Sequence, residues 1–203
     1  MAAISTELIK QLRMKTGAGM MDCKRALEET GGDIDKAVEY LRKKGAATAA
    51  KRADKETNQG VVEAYIHTGG RIGAMVELNC ETDFVAKTPD FKALAHDIAM
   101  QIAAMSPRYI GREEVEKEVI AKEIEIYKTH AQNEGKSAPV AEKIAQGRLE
   151  KFYQEACLLE QSFIKDSGKT IKDLLDETTA RVGERISIRR FMRYHLGEDG
   201  HPQ

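Results

Sequence analysis

Glycines divide the first 45 residues into three short segments, and this spacing limits the beginning of the chain to a small helical bundle. Helices commonly end at glycine, because glycine adopts the left-handed conformation at little cost. We therefore predict three short helices joined by tight turns over residues 1–45. The glycines that end these helices are Gly17, Gly19, Gly31, Gly32 and Gly45.

Capping residues and apolar spacing support these helices. Ser5 is a favourable N-cap for the first helix, and Glu7 lies in its first turn, where an acidic side chain is stabilising. The second helix covers about Met20 to Glu29. The third starts at Asp33, and its apolar residues recur at the spacing of one helical face. A bundle of about 45 residues lies near the lower limit for independent stability.

The composition then changes from helical to β-type. Residues 46–56 are rich in alanine and charge but have no apolar face, so we predict a helical linker there. Two β-type runs follow, Val61–Ile66 and Ile72–Asn79, and Gly69-Gly70 lies between them. A glycine pair between two such runs predicts a β-hairpin.

Helical patterns dominate the residues after the hairpin. One helix is predicted from Asp90 to about Met105, and two longer ones over 112–134 and from about Val140 to Lys165. The first long helix is acidic, and the second carries its apolar residues in a heptad seam. A short polar turn between them predicts an antiparallel helical hairpin over about 112–165.

The end of the chain returns to a strand. A capping-box pattern at Thr170 predicts a helix to about Val182. Residues 186–194 alternate apolar and basic, so we predict a strand that completes a three-stranded antiparallel sheet with the hairpin. The predicted fold class is α+β, with a core domain over 57–196 and a disordered tail over 197–203.

Charge and hydropathy exclude several classes of protein. Lys plus Arg total 32 and Asp plus Glu total 33, whereas a dedicated nucleic-acid binder normally carries a basic excess. No apolar run approaches the roughly 20 residues of a membrane helix, so no membrane partner is expected. The first residues lack the layout of a signal peptide. Three widely spaced cysteines (Cys23, Cys80, Cys157) fit reduced thiols, and we expect a cytoplasmic protein.

The sequence offers no positive case for catalysis. Gly168-Lys169-Thr170 resembles the end of a phosphate-binding loop, but Phe163 stands where that loop needs a glycine. The five histidines are scattered, and no pair of them has metal-ligand spacing on a helix. We therefore expect no enzyme activity, no metal site and no cofactor.

The stretch TGAGMMDCK, residues 16–24, is unusual because two long thioether side chains directly follow Gly-Ala-Gly. Consecutive helical residues point about 100° apart, so one of Met20 and Met21 is expected at the surface. Exposed methionine beside Arg13 and Lys24 suits an adaptable binding surface with a basic rim. The alternative is that both methionines fill the small bundle, and the residues alone favour neither interpretation.

Residues 82–85, directly after the hairpin, also allow two interpretations. In the first and more common arrangement, Asp83 or Thr82 caps a helical turn and Phe84 enters the core. In the second, Asp83 and Phe84 stand exposed at the tip of a rigid sheet as a wedge. A phenylalanine that a partner buries would contribute about 1.5–3 kcal/mol.

Both stretches resemble motifs of the bacterial elongation factor Ts family. The resemblance rests on TGAGMMDCK with Leu12-Arg13 before it, on NCETDFVAK at 79–87 and on IAQGRL at 144–149. The final strand also fits, and the resemblance covers nearly the whole chain up to about Gly197. One hairpin, one pair of long helices and one closing strand resemble the short form of the family, which is a homodimer. Longer members carry a duplicated core subdomain.

The resemblance implies a guanine-nucleotide exchange factor that binds the GDP form of elongation factor Tu and has no cofactor of its own. It implies that the first 45 residues form a ubiquitin-associated-like docking domain, and that residues 57–196 also carry dimerisation. Asp83 and Phe84 match the pair that displaces Mg²⁺ and perturbs the phosphate-binding loop of Tu, so that GDP leaves and GTP can bind. The residues that match docking positions, the last of them in the linker, are Arg13, Met20, Met21, Lys24 and Lys51.

Two other functions stay open. A non-catalytic adaptor, with a small bundle tethered to a helical dimerisation module, would bind a protein without altering any nucleotide. RNA binding through residues 181–195, which hold five Arg and one Glu, is the second. For those arginines we favour a solvated strand face, or charge that complements the acidic helix over 112–134, so direct nucleic-acid binding is not expected.

Overall fold

The computed structural model describes residues 4–198, which begin with α1 (Thr6–Thr16), α2 (Met20–Glu29) and α3 (Ile34–Lys51). The first and third of these helices have the predicted caps. The Ser5 hydroxyl accepts a hydrogen bond from the Leu8 amide at 3.2 Å, and the Asp33 carboxylate accepts one from the Lys36 amide at 3.0 Å. The predicted starts of both helices are confirmed.

A single small core joins the three helices. Two of its members are leucines with no exposed surface, and three others are alanine or cysteine, which allow the helices to approach closely. The buried members are Ile9, Leu12, Cys23, Ala26, Leu27 and Ala37.

The third helix does not end at Gly45, as the sequence suggested, but continues to Lys51. Gly45 is buried, and a Cβ at this position would lie 3.5 Å from the Asp176 carbonyl oxygen. The prediction was wrong because this glycine permits close packing rather than a turn, while the alanines after it favour helix. The residues of the predicted linker as far as Lys51 therefore belong to a packed helix.

A β-hairpin follows, with β1 over Gln59–Ile66 and β2 over Ile72–Cys80. The His67 amide donates to the Ile72 carbonyl at 2.8 Å across the turn. Gly69 and Gly70 both have positive φ there, a conformation that glycine adopts without strain. The predicted hairpin is confirmed.

Four helices come next: α4 (Asp83–Ala86), α5 (Pro89–Met105), α6 (Lys117–Asn133) and α7 (Ala138–Ala156). α6 and α7 are joined by a short connection and pack against each other. Both are shorter than predicted. The first begins at Lys117 because Arg112–Glu114 form a separate 3₁₀ turn and Glu116 has extended backbone.

The predicted continuation of the second long helix to Lys165 is wrong. Cys157 has extended backbone, with φ −100° and ψ 117°, and pairs with Tyr109. The Leu158 amide donates to the Tyr109 carbonyl at 2.9 Å. The heptad spacing of apolar residues continues past Ala156, but these backbone bonds compete with the helix and end it there.

A two-stranded antiparallel sheet that the sequence did not predict follows, with β3 over Ser162–Phe163 and β4 over Asp166–Thr170. Gly168, Lys169 and Thr170 lie within β4. Their backbone is therefore part of a strand and not of a glycine-rich loop around a phosphate.

The chain continues through α8 (Ile171–Val182) and β5 (Ser187–His195). β5 joins the hairpin in a three-stranded sheet of order β1-β2-β5. The predicted mixed α+β class with a three-stranded antiparallel sheet is confirmed. Of the predicted tail, residues 199–203 lie outside the described part, and Glu198 accepts from Arg193 at 3.0 Å.

The chain divides into two compact units. Of the described residues, the first contains 4–63 together with Glu77–His96 and Asp173–Arg189. The second contains Ala64–Val76, Asp97–Lys172 and 190–198. Among residues 4–198, no helix combines the length and the apolar character that a membrane crossing requires.

Candidate functional site

The turn between α1 and α2 is fixed by hydrogen bonds around Thr16. The Thr16 hydroxyl donates to the Leu12 carbonyl at 2.8 Å and accepts from the Ala18 amide at 3.3 Å. Gly17 has a φ of 68°, and its amide donates to the Arg13 carbonyl at 2.7 Å, which closes α1. This left-handed position favours glycine, so the Gly-Ala-Gly sequence gives the turn one defined conformation.

Methionine side chains lie at the surface directly after this turn. Met20 is 48% exposed and Met21 is 67% exposed, while Cys23 of the same helix is buried in the bundle core. The alternative in which both methionines fill the bundle is therefore wrong. Met14, at 82%, adds a third exposed thioether near the end of α1. Sequence reasoning missed it.

The three basic residues that match docking positions lie on three different helices. Arg13 and Lys24 are exposed on α1 and α2, and the Lys24 ammonium lies 3.7 Å from the Glu28 carboxylate. Lys51 is exposed at the end of α3, about 15 Å along the helix from Leu41, which packs against the bundle core.

Phe84 projects into solvent from α4, the four-residue helix that follows β2. Its side chain is 79% exposed, and Ala86 is the buried residue of this turn. The interpretation in which Phe84 enters the core is therefore wrong. The Asp83 carboxylate accepts from the Lys87 ammonium at 2.5 Å, and this partner lowers the pKa of Asp83 below its ordinary value. The pairing therefore keeps the Asp83 carboxylate ionised to a lower pH than an unpaired aspartate.

An arginine–glutamate ion pair holds the end of β2, just before this turn. Arg52, the residue directly after α3, donates from Nε and Nη2 to the two Glu81 carboxylate oxygens, each at 2.9 Å. The pairing lowers the pKa of Glu81 and raises that of Arg52. The sequence analysis missed both residues, because they lie far apart in the chain and no periodicity links them.

The bundle and the Phe84 turn belong to the same compact unit. A second bidentate ion pair joins the bundle to α8 within that unit. Arg42 of α3 donates to both Asp173 carboxylate oxygens, at 3.0 and 2.6 Å. Bidentate guanidinium–carboxylate pairs restrict orientation as well as distance. The unit therefore carries two exposed apolar features, the methionines and Phe84, on one ordered framework.

The buried thiols have raised pKa values. Burial raises the pKa of Cys80 and of Cys157 to about 11, and the Cys80 thiol donates to the Thr82 carbonyl at 3.1 Å. The fold therefore loses stability as the pH rises from about 9 towards about 11, because the thiols ionise in the unfolded chain before they ionise in the fold.

We expect a chromogenic disulfide reagent at pH 8 to modify these thiols at least about a hundredfold more slowly in the folded protein than in denaturant. The reason is that only the thiolate reacts, and burial suppresses both its formation and its access. The measurement is the time course of the absorbance of the coloured thiolate that the reagent releases, with and without denaturant. Rapid modification of Cys80 in the folded chain would show that the strand end before Phe84 is open.

The remaining candidate groups are metal ligands and the arginines near the end of the chain. No group of three or more His, Cys, Asp or Glu side chains within residues 4–198 could hold a metal ion. In the arginine-rich end, Arg181 pairs with Asp90 at 3.2 Å and Arg193 pairs with Glu198. Both of these pairs involve carboxylates outside the acidic helix over 112–134.

Comparisons with known proteins agree on one family. The family model described as Elongation factor TS matches residues 7–198. The elongation factor Ts of Carboxydothermus hydrogenoformans is 63% identical over 96% of this chain and 90% of its own length. That of Moorella thermoacetica is 63% identical over 94% of each chain. That of Thermotoga neapolitana is 57% identical over 97% of this chain and 99% of its own.

Proposed function

The chain belongs to the elongation factor Ts family, and we propose that it promotes GDP release from elongation factor Tu so that GTP can bind. Family membership supports nucleotide exchange on Tu in general. The observation that carries the mechanism is the exposed Phe84 ring on a short, anchored turn. The chain changes a release rate and makes no covalent bond, so it acts as a binding protein in the translation machinery of the cytoplasm.

Docking is proposed for the ubiquitin-associated-like bundle over residues 1–45. Flexible thioethers adapt to an apolar partner surface, and exposed basic side chains beside them complement acidic groups. Lys51, the last residue of α3, is included because it matches a basic residue of the family's linker. The residues proposed to dock are Arg13, Met20, Met21, Lys24 and Lys51.

Release of GDP is assigned to Asp83 and Phe84. A ring that enters Tu near its Mg²⁺ site would displace structure around the ion, and Asp83, paired with Lys87, would enter beside the ring. Loss of Mg²⁺ leaves the diphosphate charge poorly compensated, which weakens GDP binding. Thermodynamic linkage requires that GDP weaken binding of the chain to Tu by the same factor.

Magnesium dependence tests this mechanism. Release of fluorescent GDP from Tu is measured with and without the chain, first in millimolar Mg²⁺ and then after chelation. Strong acceleration in Mg²⁺ and much weaker acceleration after chelation support displacement of the ion, because chelation removes what the chain would displace. Equal acceleration in both would contradict Mg²⁺ displacement while leaving exchange itself intact.

A homodimer is proposed for the core, as in the short form that the chain resembles. The second compact unit exposes large apolar side chains on and just after its strands. We propose that they form one patch, and exposed apolar patches commonly mark interfaces. Their exposed fractions range from 47% to 67%. The side chains are Ile66, Met75, Met192, Tyr194 and Leu196.

Sedimentation equilibrium at micromolar concentration is expected to give the mass of two chains. Tyr194→Glu should shift the protein towards the mass of one chain, because a charge on this patch would be buried unpaired in the dimer. Ile126→Glu, at a half-exposed position on α6, is the matched control and should leave the mass unchanged. A monomeric wild-type chain would contradict the proposed dimer.

A further inference from the structure

The turn that carries Phe84 lacks the usual means of holding a helix start. Thr82 occupies the N-cap position of α4, where a threonine hydroxyl normally accepts from an amide of the first turn. No such bond is present. The hydroxyl instead donates to the Glu184 carboxylate at 2.6 Å, and the Thr82 amide donates to its other oxygen at 3.0 Å. The Glu184 carboxylate thus accepts hydrogen bonds from both the amide and the hydroxyl of Thr82, the residue before Asp83 and Phe84.

Glu184 reaches this position from the turn after α8. Gly183 has a φ of 76°, which reverses the chain at the helix end, and its amide donates to the Thr179 carbonyl at 2.9 Å. Glu184 is half-buried, so its carboxylate is only partly screened by water. Hydrogen bonds to a charged acceptor in such a setting are stronger than ordinary ones.

The two chain segments hold each other reciprocally. The Glu184 carboxylate accepts the amide of Thr82, and the Glu81 carboxylate accepts the amide of Arg185 at 2.6 Å. Each glutamate therefore binds the residue that follows the other glutamate. We call this paired arrangement the clasp, and its four residues are Glu81, Thr82, Glu184 and Arg185.

We propose that Glu184 is a positioning residue for exchange, because its hydrogen bonds to Thr82 fix the direction in which the Phe84 side chain projects into solvent. A helix of four residues does not hold its own orientation, since a single turn is unstable in isolation. The clasp supplies the missing restraint. This inference rests on the proposed function, in which Phe84 must enter Tu already oriented, as preorganised contacts lose less entropy on binding.

A fluorescent reporter tests positioning without Tu. The chain has no tryptophan, so Phe84→Trp gives one emitter on the wedge itself. We expect its fluorescence anisotropy to fall clearly when Glu184→Ala is added, because the turn gains local motion. Glu184→Gln should restore most of the anisotropy, since an amide can still accept from the Thr82 amide. Unchanged anisotropy in the alanine variant would overturn the proposal.

A milder variant and two controls separate positioning from unfolding. Thr82→Val removes only the hydroxyl donor and should lower the anisotropy by a smaller amount. Glu118→Ala, on α6, removes an exposed carboxylate outside the clasp and should change nothing. Circular dichroism melting of each variant reports whether the fold persists. If Thr82→Val melts normally and keeps full anisotropy, the clasp does not orient the turn.

Exchange kinetics supply the second readout. In the chain with Phe84 intact, Glu184→Ala should lower the saturating rate of GDP release by about tenfold, the change expected when hydrogen bonds to a charged group are lost. The half-saturating concentration should change little, because the docking surface is untouched. A change in the half-saturating concentration alone would contradict positioning. Failure of the unmodified chain to release GDP would instead contradict the proposed function and leave the anisotropy result standing.

Discussion

Replacing Phe84 with alanine is expected to slow the saturating rate of GDP release from Tu by between about tenfold and a hundredfold. The ring is 79% exposed in the free chain, so its removal costs the fold little. In the complex, the same ring would be buried in Tu, where it contributes about 1.5–3 kcal/mol. Stopped-flow release of fluorescent GDP at several chain concentrations measures the effect.

The control for Phe84→Ala is Ile126→Ala, which removes an exposed apolar side chain from α6. It should leave the release rate unchanged. A melting temperature close to that of the wild type would show that Phe84→Ala is folded. Normal exchange by that folded variant would remove Phe84 from the mechanism.

The paired change Met20→Ala with Met21→Ala is expected to act on docking instead. It should raise the half-saturating chain concentration by about tenfold to a hundredfold, because two side chains lose apolar contact with Tu. The saturating release rate should stay near that of the wild type, since Phe84 is unchanged. Titration of Tu with each protein measures both quantities.

Met105→Ala serves as the matched control, because Met105 is 46% exposed on α5 and Met20 is 48% exposed. It should not change binding. If the double variant bound Tu normally and lost only stability, the methionines would support the bundle and the docking surface would lie elsewhere. A combined loss of rate and affinity would show that docking and release are not separate steps.

The local elements of this fold were largely predictable because their signals are short-range. Ser5 and Asp33 start helices through their own side chains, and Gly69-Gly70 makes the hairpin turn through its backbone freedom. The errors arose where distant residues decide. Gly45 lies within a helix, where it packs against the Asp176 backbone. No residue near Gly45 in the sequence predicts that contact.

The sequence predicted which residues belong to the candidate site, but not which residues hold them in place. The sequence singled out the methionines and Phe84, yet left their exposure open. Two adjacent methionines at a helix start and a single phenylalanine in a four-residue turn have no periodicity that marks one face as buried. The residues that hold the turn were missed altogether. Glu184 lies about a hundred positions from Thr82 along the chain, so only the folded structure brings its carboxylate to that hydroxyl.

The contacts of the Phe84 turn place its restraint within one compact unit. Arg52, the residue after α3, binds Glu81. Glu184, which follows the end of α8, binds Thr82. A partner that grips the bundle would therefore meet Phe84 on the same ordered framework. This arrangement favours simultaneous contact at two places, in which the second contact costs little additional entropy.

Release of fluorescent GDP from Tu by the unmodified chain tests the central claim most directly. Tu loaded with the labelled nucleotide is mixed with excess unlabelled GDP and increasing amounts of the chain. The account predicts that the release rate rises with chain concentration and reaches a plateau well above the spontaneous rate. A release rate that stays at the spontaneous value, although the chain binds Tu, would contradict exchange and indicate an adaptor.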